Sequence, residues 1–250
     1  MMKGKLIRTV FLPGLLIAAL AVPAFGDGIH ISVTNLTTGT YFTPLIIAAH
    51  DGDNSIFTAG EPASSSVEIL AECGDFTGVL ADMNAAGADT LVNPAEGPLA
   101  PGATATGKLM TSRGNKYLSL AAMLIPTNDG FVGLDSLPIP RATGTYIYYL
   151  YGYDAGTEVN DEVLFTEGCD ASTPGIPGDP TGLAGTGGTG VASVEPNMTV
   201  HVHPGVVGDL DPAGGASDLS SAYHDWVNPV AKLVITVHRW SHGGGGWGNK

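Results

Sequence analysis

Several stretches of the chain alternate apolar and polar residues with a period of two, and that period limits what the chain can fold into. Across 28–36 (GIHISVTNL), Ile29, Ile31 and Val33 fall on one face and His30, Ser32 and Thr34 on the other. Across 197–203, Met198, Val200 and Val202 oppose Thr199, His201 and His203; across 229–239, Leu233, Ile235 and Val237 oppose Lys232, Val234, Thr236 and His238. Successive side chains of a strand point to opposite faces, so these read as half-buried strands. Residues 145–153 (TYIYYLYGY) are dense in aromatic and β-branched side chains, which favour sheets, and 42–50 (FTPLIIAAH) read as a more buried strand. Residues 103–111 and 116–126 read as paired strands around the turn Ser112-Arg113-Gly114-Asn115. The pattern breaks at 62–84. There Val67, Ile69, Leu70 and Ala71 suit a short helix closed by Gly74, and 76–84 suit a further helical turn or two. Short strands separated by turn signals predict an all-β fold, an antiparallel sandwich with one or two short helices.

The first residues stand apart from that fold. Lys3, Lys5 and Arg8 precede an apolar run at 10–22, and Ala24-Phe25-Gly26 offers small residues at a cleavage position. This is the pattern of a signal peptide spanning 1–26, and the run, broken by Pro13, is short for a membrane span. The protein is therefore expected outside the cytoplasm, secreted or periplasmic. The folded domain is assigned to 27–240, with a Gly/Pro-rich loop at 173–190 and a flexible tail at 241–250.

An apolar fraction of 44% is enough to build a core. Without Lys3, Lys5 and Arg8 the chain carries 7 basic and 24 acidic residues, a net charge of −17. Such a surface repels phosphate backbones, which argues against nucleic acid as a partner. Anionic lipid would need a bridging cation. Export also bears on the two cysteines, Cys73 and Cys169. They are either bridged, closing a loop of about 97 residues worth roughly 4–5 kcal/mol, or buried as thiols.

The acid is concentrated. Residues 152–165 (GYDAGTEVNDEVLF) hold Asp154, Glu158, Asp161 and Glu162 with Asn160 among them, and from 142 to 231 histidine is the only basic residue type. Asp154-Ala155-Gly156-Thr157 is turn chemistry at the end of a strand, so Asp154 and Glu158 can fold back toward one point. A preceding turn, Asn128-Asp129-Gly130, lies between two apolar runs, and Asp129 meets Asp154 and Glu158 if those strands are neighbours. Carboxylates crowded without cations raise one another's pKa or take a metal. For an exported protein, Ca²⁺, which takes six to eight oxygens, is the natural neutraliser. The competing reading is a set of solvated acidic loops without an ion, in a structural matrix component.

Other chemistry is less well supported by the sequence. Asp51-Gly52-Asp53-Asn54-Ser55 opens like an EF-hand, but Ile56 stands where glycine is required and Pro62 where the bidentate Glu belongs. His201 and His203 are two apart on a strand and, with His224 or His238, offer a zinc or copper site and with it a metalloenzyme reading. GxSxG, HExxH and a P-loop do not occur, so no enzyme is predicted from a motif.

Taken in order, IHISVTNLT (29–37), FTPLIIAAHD (42–51), IFTAGEPAS (56–64), LAECGD (70–75), MLIPTNDGFVGLDSL (123–137), YDAGTEVNDE (153–162), HVHPG (201–205) and NPVAKLVITV (228–237) resemble the spondin domain, the N-terminal-type module of F-spondin-like extracellular proteins. The resemblance implies a C2-like antiparallel β-sandwich, and a calcium ion held by Asp129 of PTNDGFVG and by Asp154 and Glu158 of YDAGTE. Where this chain has Glu158 the family usually has Asp, one methylene shorter. Asn160 and Asp161 are additional candidate ligands. Cys73 stands where related bacterial domains often carry an acid, so a Cys73–Cys169 bridge would be particular to this chain. The 173–190 stretch looks like an insertion. The implied role is non-catalytic extracellular recognition or attachment, with a protein or glycan partner, or a membrane surface reached through calcium.

Overall fold

The period-two stretches become strands because each can hide one face. The computed structural model describes residues 28–165, 175–213 and 215–238. In these the order is β1 (Ile29–Asn35), β2 (Tyr41–Phe42), β3 (Ile46–His50), α1 (Ser65–Cys73), α2 (Thr77–Ala85), β4 (Asp89–Val92), β5 (Thr104–Leu109), β6 (Tyr117–Ile125), β7 (Gly130–Pro138), β8 (Gly144–Asp154), β9 (His201–Val202) and β10 (Ala231–Val237). The expected signal peptide, the 241–250 tail and Cys169 lie outside the described residues.

The strands do not form a C2-like sandwich. They make one antiparallel sheet in the order β4-β3-β6-β7-β8-β10-β1-β5, with β2 added on β6 and β9 on β8. Strand β8 explains the difference. Its first seven residues pair with β10, from Gly144↔Val237 to Leu150↔Ala231, and its last four pair with β7, from Tyr151↔Gly133 to Asp154↔Gly130. A strand shared by both halves leaves no second sheet to stack. The sheet instead curls until its end strands meet. A Cβ built on Gly107 of β5 would lie 2.6 Å from Leu91 Cδ2 of β4, so the two ends touch without pairing and the barrel is nearly closed.

The expected hairpin around 112–115 is also corrected. β5 pairs with β1, while β6 pairs with β3, β7 and β2. The turn thus connects strands from different parts of the sheet. Cys73, at the end of α1, is disulfide-bonded rather than a free thiol, and Cys169, the partner the sequence suggests, lies outside the described residues.

The barrel interior is filled by one face of each alternating strand: Ile29, Ile31 and Val33 from β1, Leu233, Ile235 and Val237 from β10, and Leu118, Leu120 and Leu124 from β6. A second apolar layer lies outside β3, β6 and β7. There Val67, Leu70 and Ala71 of α1 and Val79 and Met83 of α2 pack with Ile46, Ala48, Ala121 and Phe131. This is why β3 is buried along its whole length and shows no polar alternation: both of its faces are covered. Helix α1 starts where Ser64 Oγ accepts from Val67 N at 3.3 Å, and it ends at Gly74, whose φ of 70° a side chain would disfavour.

This topology fixes the position of the acids. The β6–β7 turn and the C-terminal end of β8 lie side by side at one end of the barrel, held by the Gly130↔Asp154 register and by Ala155 N donating to Asp129 O at 3.2 Å.

Candidate functional site

Thr127 builds the first half of the site. Its hydroxyl donates to Leu124 O at 2.5 Å and accepts from Gly130 N at 3.1 Å, closing a tight turn that places Asn128 and Asp129 at the barrel end. Both are buried, and Asp129 is 0% exposed. A side chain at Gly130 would strike Thr127 Oγ1 at 2.7 Å, so the glycine is needed there for close approach.

The second half begins at Asp154, also 0% exposed. Its Oδ1 accepts from Gly156 N at 2.8 Å, turning the chain back, and Gly156 adopts a φ of 70° where a Cβ would lie 2.5 Å from Asn197 O. The returning loop lays Thr157 and Glu158 over Asp129. Asp129 Oδ2 accepts from Thr157 N (2.8 Å), Thr157 Oγ1 (3.2 Å) and Glu158 N (3.1 Å). Asn160 Nδ2 donates to Asp154 Oδ2 at 2.5 Å. Asn128 bridges the loops. Its Nδ2 donates to Glu158 Oε1 and Asp161 Oδ1, both at 3.0 Å, and its Oδ1 accepts from Glu162 N at 3.1 Å. Glu158 Oε1 also accepts from Gly175 N, so the Gly/Pro-rich loop closes over the site.

The structure thus brings together Asp129, Asp154, Glu158, Asn160 and Asp161. It does not bring in Glu162, whose φ of 60° turns its carboxylate toward Val207 N (2.6 Å), Gly208 N (2.8 Å) and Ser217 Oγ (2.5 Å).

The electrostatics are unbalanced. Burial, with Asp154 next to it, pushes Asp129 up to about 8. Burial also raises Asp154 and Glu158 from their ordinary values, against the hydrogen bonds from Asn160 and Asn128 respectively. Sequence reasoning missed a fifth acid. Glu72, at the end of α1, is buried beside Thr157 and Glu158, and burial lifts it to about 7. The available signal was a charged residue directly following the apolar face of a helix, in LAECGD. Asp129 Oδ1 and Glu158 Oε2 are buried and accept no hydrogen bond. An unpartnered buried carboxylate oxygen is costly unless a proton or a cation reaches it. As the side chains stand, amide donors occupy the other oxygens, and among the described residues no group of three His, Cys, Asp or Glu converges on a metal-sized point.

Among the described residues the histidines do not assemble a site. His201 Nδ1 hydrogen-bonds Thr199 O at 2.8 Å and lies 3.8 Å from Asp154 Oδ1. His203 is buried against Trp226, and burial holds it down at about 4. His224 is part of a separate loop contact, 3.6 Å from Asp179, and His238 stacks edge-on with His30.

Comparison with known proteins bears on the same loops. The Spondin_N family profile matches residues 34–173, a span that includes the turn at Asp129 and the loop from Asp154 to Glu158. Human Spondin-2 is 28% identical over 124 residues, an alignment taking in 47% of this chain and 38% of Spondin-2.

Proposed function

Since the chain belongs to the Spondin_N family, a family of non-catalytic extracellular modules, we propose that it is an exported recognition domain whose loop end is braced by one calcium ion. Asp129, Asp154 and Glu158 are the proposed acidic ligands, with Asn160 and Asp161 at the margin. The observation that carries the reading is the pair of buried, unpartnered oxygens, Asp129 Oδ1 and Glu158 Oε2, in a group of acids met only by neutral donors. A hard divalent cation with oxygen ligands answers both the crowding and the missing partners. Binding exchanges amide contacts from Asn128 and Asn160 for the ion, while the backbone donors to Asp129 keep the loop in place.

The ion's role in this reading is to tie the 155–162 loop to the β6–β7 turn. No Lys or Arg lies between 142 and 231 to help hold an anionic bilayer, so an extracellular protein or glycan is the favoured partner class. The test is metal analysis of untagged protein followed by calcium titration of the chelator-treated form. One calcium per chain and a large rise in melting temperature support the reading. Stoichiometric zinc or copper in place of calcium would transfer the site to the histidines. An unchanged melting temperature would leave a matrix module without an ion.

A further inference from the structure

The opposite end of the barrel carries an independent site. The β5–β6 turn, the β7–β8 loop and the ends of β1 and β10 enclose an open cleft of about 430 Å³. Arg113, Lys116 and Arg141 line it, three of the seven basic residues that follow residue 26. No Asp or Glu is among its lining residues. Each of the three is exposed, and none of them forms an ion pair with another described residue. In a chain of net charge −14 this is a local reversal of sign.

The cleft is held rigidly. Asp89 of β4 accepts from Ser112 N (2.5 Å), Ser112 Oγ (2.9 Å) and Asn115 Nδ2 (2.8 Å), fixing the turn that presents Arg113. Lys116 N donates to His50 O at 2.8 Å and Lys116 O accepts from Ile139 N at 2.8 Å, so the two loops are joined at their bases.

We infer that this cleft binds a short anionic saccharide, a unit bearing carboxylate or sulfate groups, between Arg113, Lys116 and Arg141. Guanidinium groups match the planar or three-oxygen faces of carboxylate and sulfate in bidentate fashion. The apolar part of the wall that stays open to solvent, Ile139 and Pro140, suits the C–H face of a sugar ring. The volume lies within the range of small-ligand sites, about 300–1,000 Å³. A peptide is disfavoured because extended peptides bind by adding to a free strand edge. Here Ile29 and Val237 already pair with each other, and the Lys116 and Ile139 amides are both engaged. A long polyanion would run from the cleft onto a surface of its own sign. The site is independent of the proposed calcium ion at the other end.

The test is calorimetric titration of the signal-free chain in saturating calcium with four probes: a sulfated uronate disaccharide, its neutral counterpart, an acidic hexapeptide of equal charge, and inorganic sulfate. The expected result is binding of the anionic disaccharide alone among the two sugars. It should weaken about tenfold in Arg113→Gln and in Arg141→Gln, as loss of a charge-assisted hydrogen bond predicts, and remain unchanged in Lys232→Gln on the far end of β10. Both arginines are exposed, so unchanged melting temperatures identify folded variants. Absence of binding to the anionic disaccharide, binding untouched by the two arginine variants, or affinity for the peptide or for sulfate equal to or above that for the disaccharide would each overturn the assignment.

Discussion

Asp129→Asn should shift the stability of this domain in opposite directions with and without calcium. Asp129 Oδ2 accepts three hydrogen bonds, so the asparagine oxygen keeps that place and its amide nitrogen falls at Oδ1, the atom with no partner. The change removes charge and adds a donor at nearly constant shape. Folding raises the Asp129 pKa from 3.8 to about 8. A carboxyl raised in the folded state contributes its stability in full below the unfolded pKa and loses it as pH rises through the folded value. A gap of about four units corresponds to roughly 5 kcal/mol, and because Asp154 shares the burden the relief in the variant is set at about 2–5 kcal/mol. For a domain of this size each kcal/mol moves Tm by roughly 2–4 °C. In chelator near about pH 8.5 the variant should therefore melt roughly 5–15 °C above the parent. In calcium at about 100,000 times Kd the parent gains about 7 kcal/mol, and a variant lacking one ligand charge forfeits most of it, so the order reverses. Differential scanning calorimetry in the two buffers reads both signs. A variant that melts below the parent in both buffers would refute the reasoning, since it would make the Asp129 charge stabilising without any ion.

The same linkage predicts that the chelated parent loses stability steadily from about pH 5 to pH 8.5, as Asp129 (about 8) and Glu72 (about 7) ionise, and that calcium flattens this profile; a flat profile in chelator would count against buried, mutually raised acids. Asp154→Asn should weaken calcium binding by tenfold or more, on the order of 1.4 kcal/mol or above, whereas Asp161→Asn, at a part-exposed position, should change it by about twofold; isothermal titration would expose the reverse ranking. Leu70→Ala, beneath α1, should cost about 2–5 kcal/mol in urea unfolding with an unchanged m-value. Gly152→Ala should cost about 1–3 kcal/mol, because its Cβ would lie 2.6 Å from Trp226 Cη2, and a neutral result would show that the indole can move aside.

Much of the secondary structure was legible because it is written in local periodicity. β1 and β10 follow from alternation, α1 from its apolar spacing and Gly74, and the turn at Asn128-Asp129-Gly130 from its residue types. Strand β4 was missed, since all four of its residues are only half buried and give no alternation. The 42–50 stretch divides into β2 and β3 around Thr43-Pro44, where proline interrupts pairing. In the site, the acids of the 128–130 and 154–161 loops were visible as a run of like charge. Glu72 was not, because it comes from a helix some eighty residues away and reaches the cluster only through α1 packing on β6 and β7.

The sequence by itself determined which residues of β1 and β10 face inward, where the chain turns, and that acid would be concentrated without basic relief. These depend on neighbours a few positions apart. The alternation expected at 197–203 failed, since Met198 and Val202 are exposed and His203 is buried against Trp226. The tertiary structure alone decided which strands pair, and with that the choice between a sandwich and a nearly closed barrel. Periodicity fixes the face of a strand but says nothing of its partner, and β8 is long enough to have two. The same pairing sets Asp129 beside Asp154 at one end of the barrel and gathers Arg113, Lys116 and Arg141 at the other, a separation of charge that no linear reading of the chain contains.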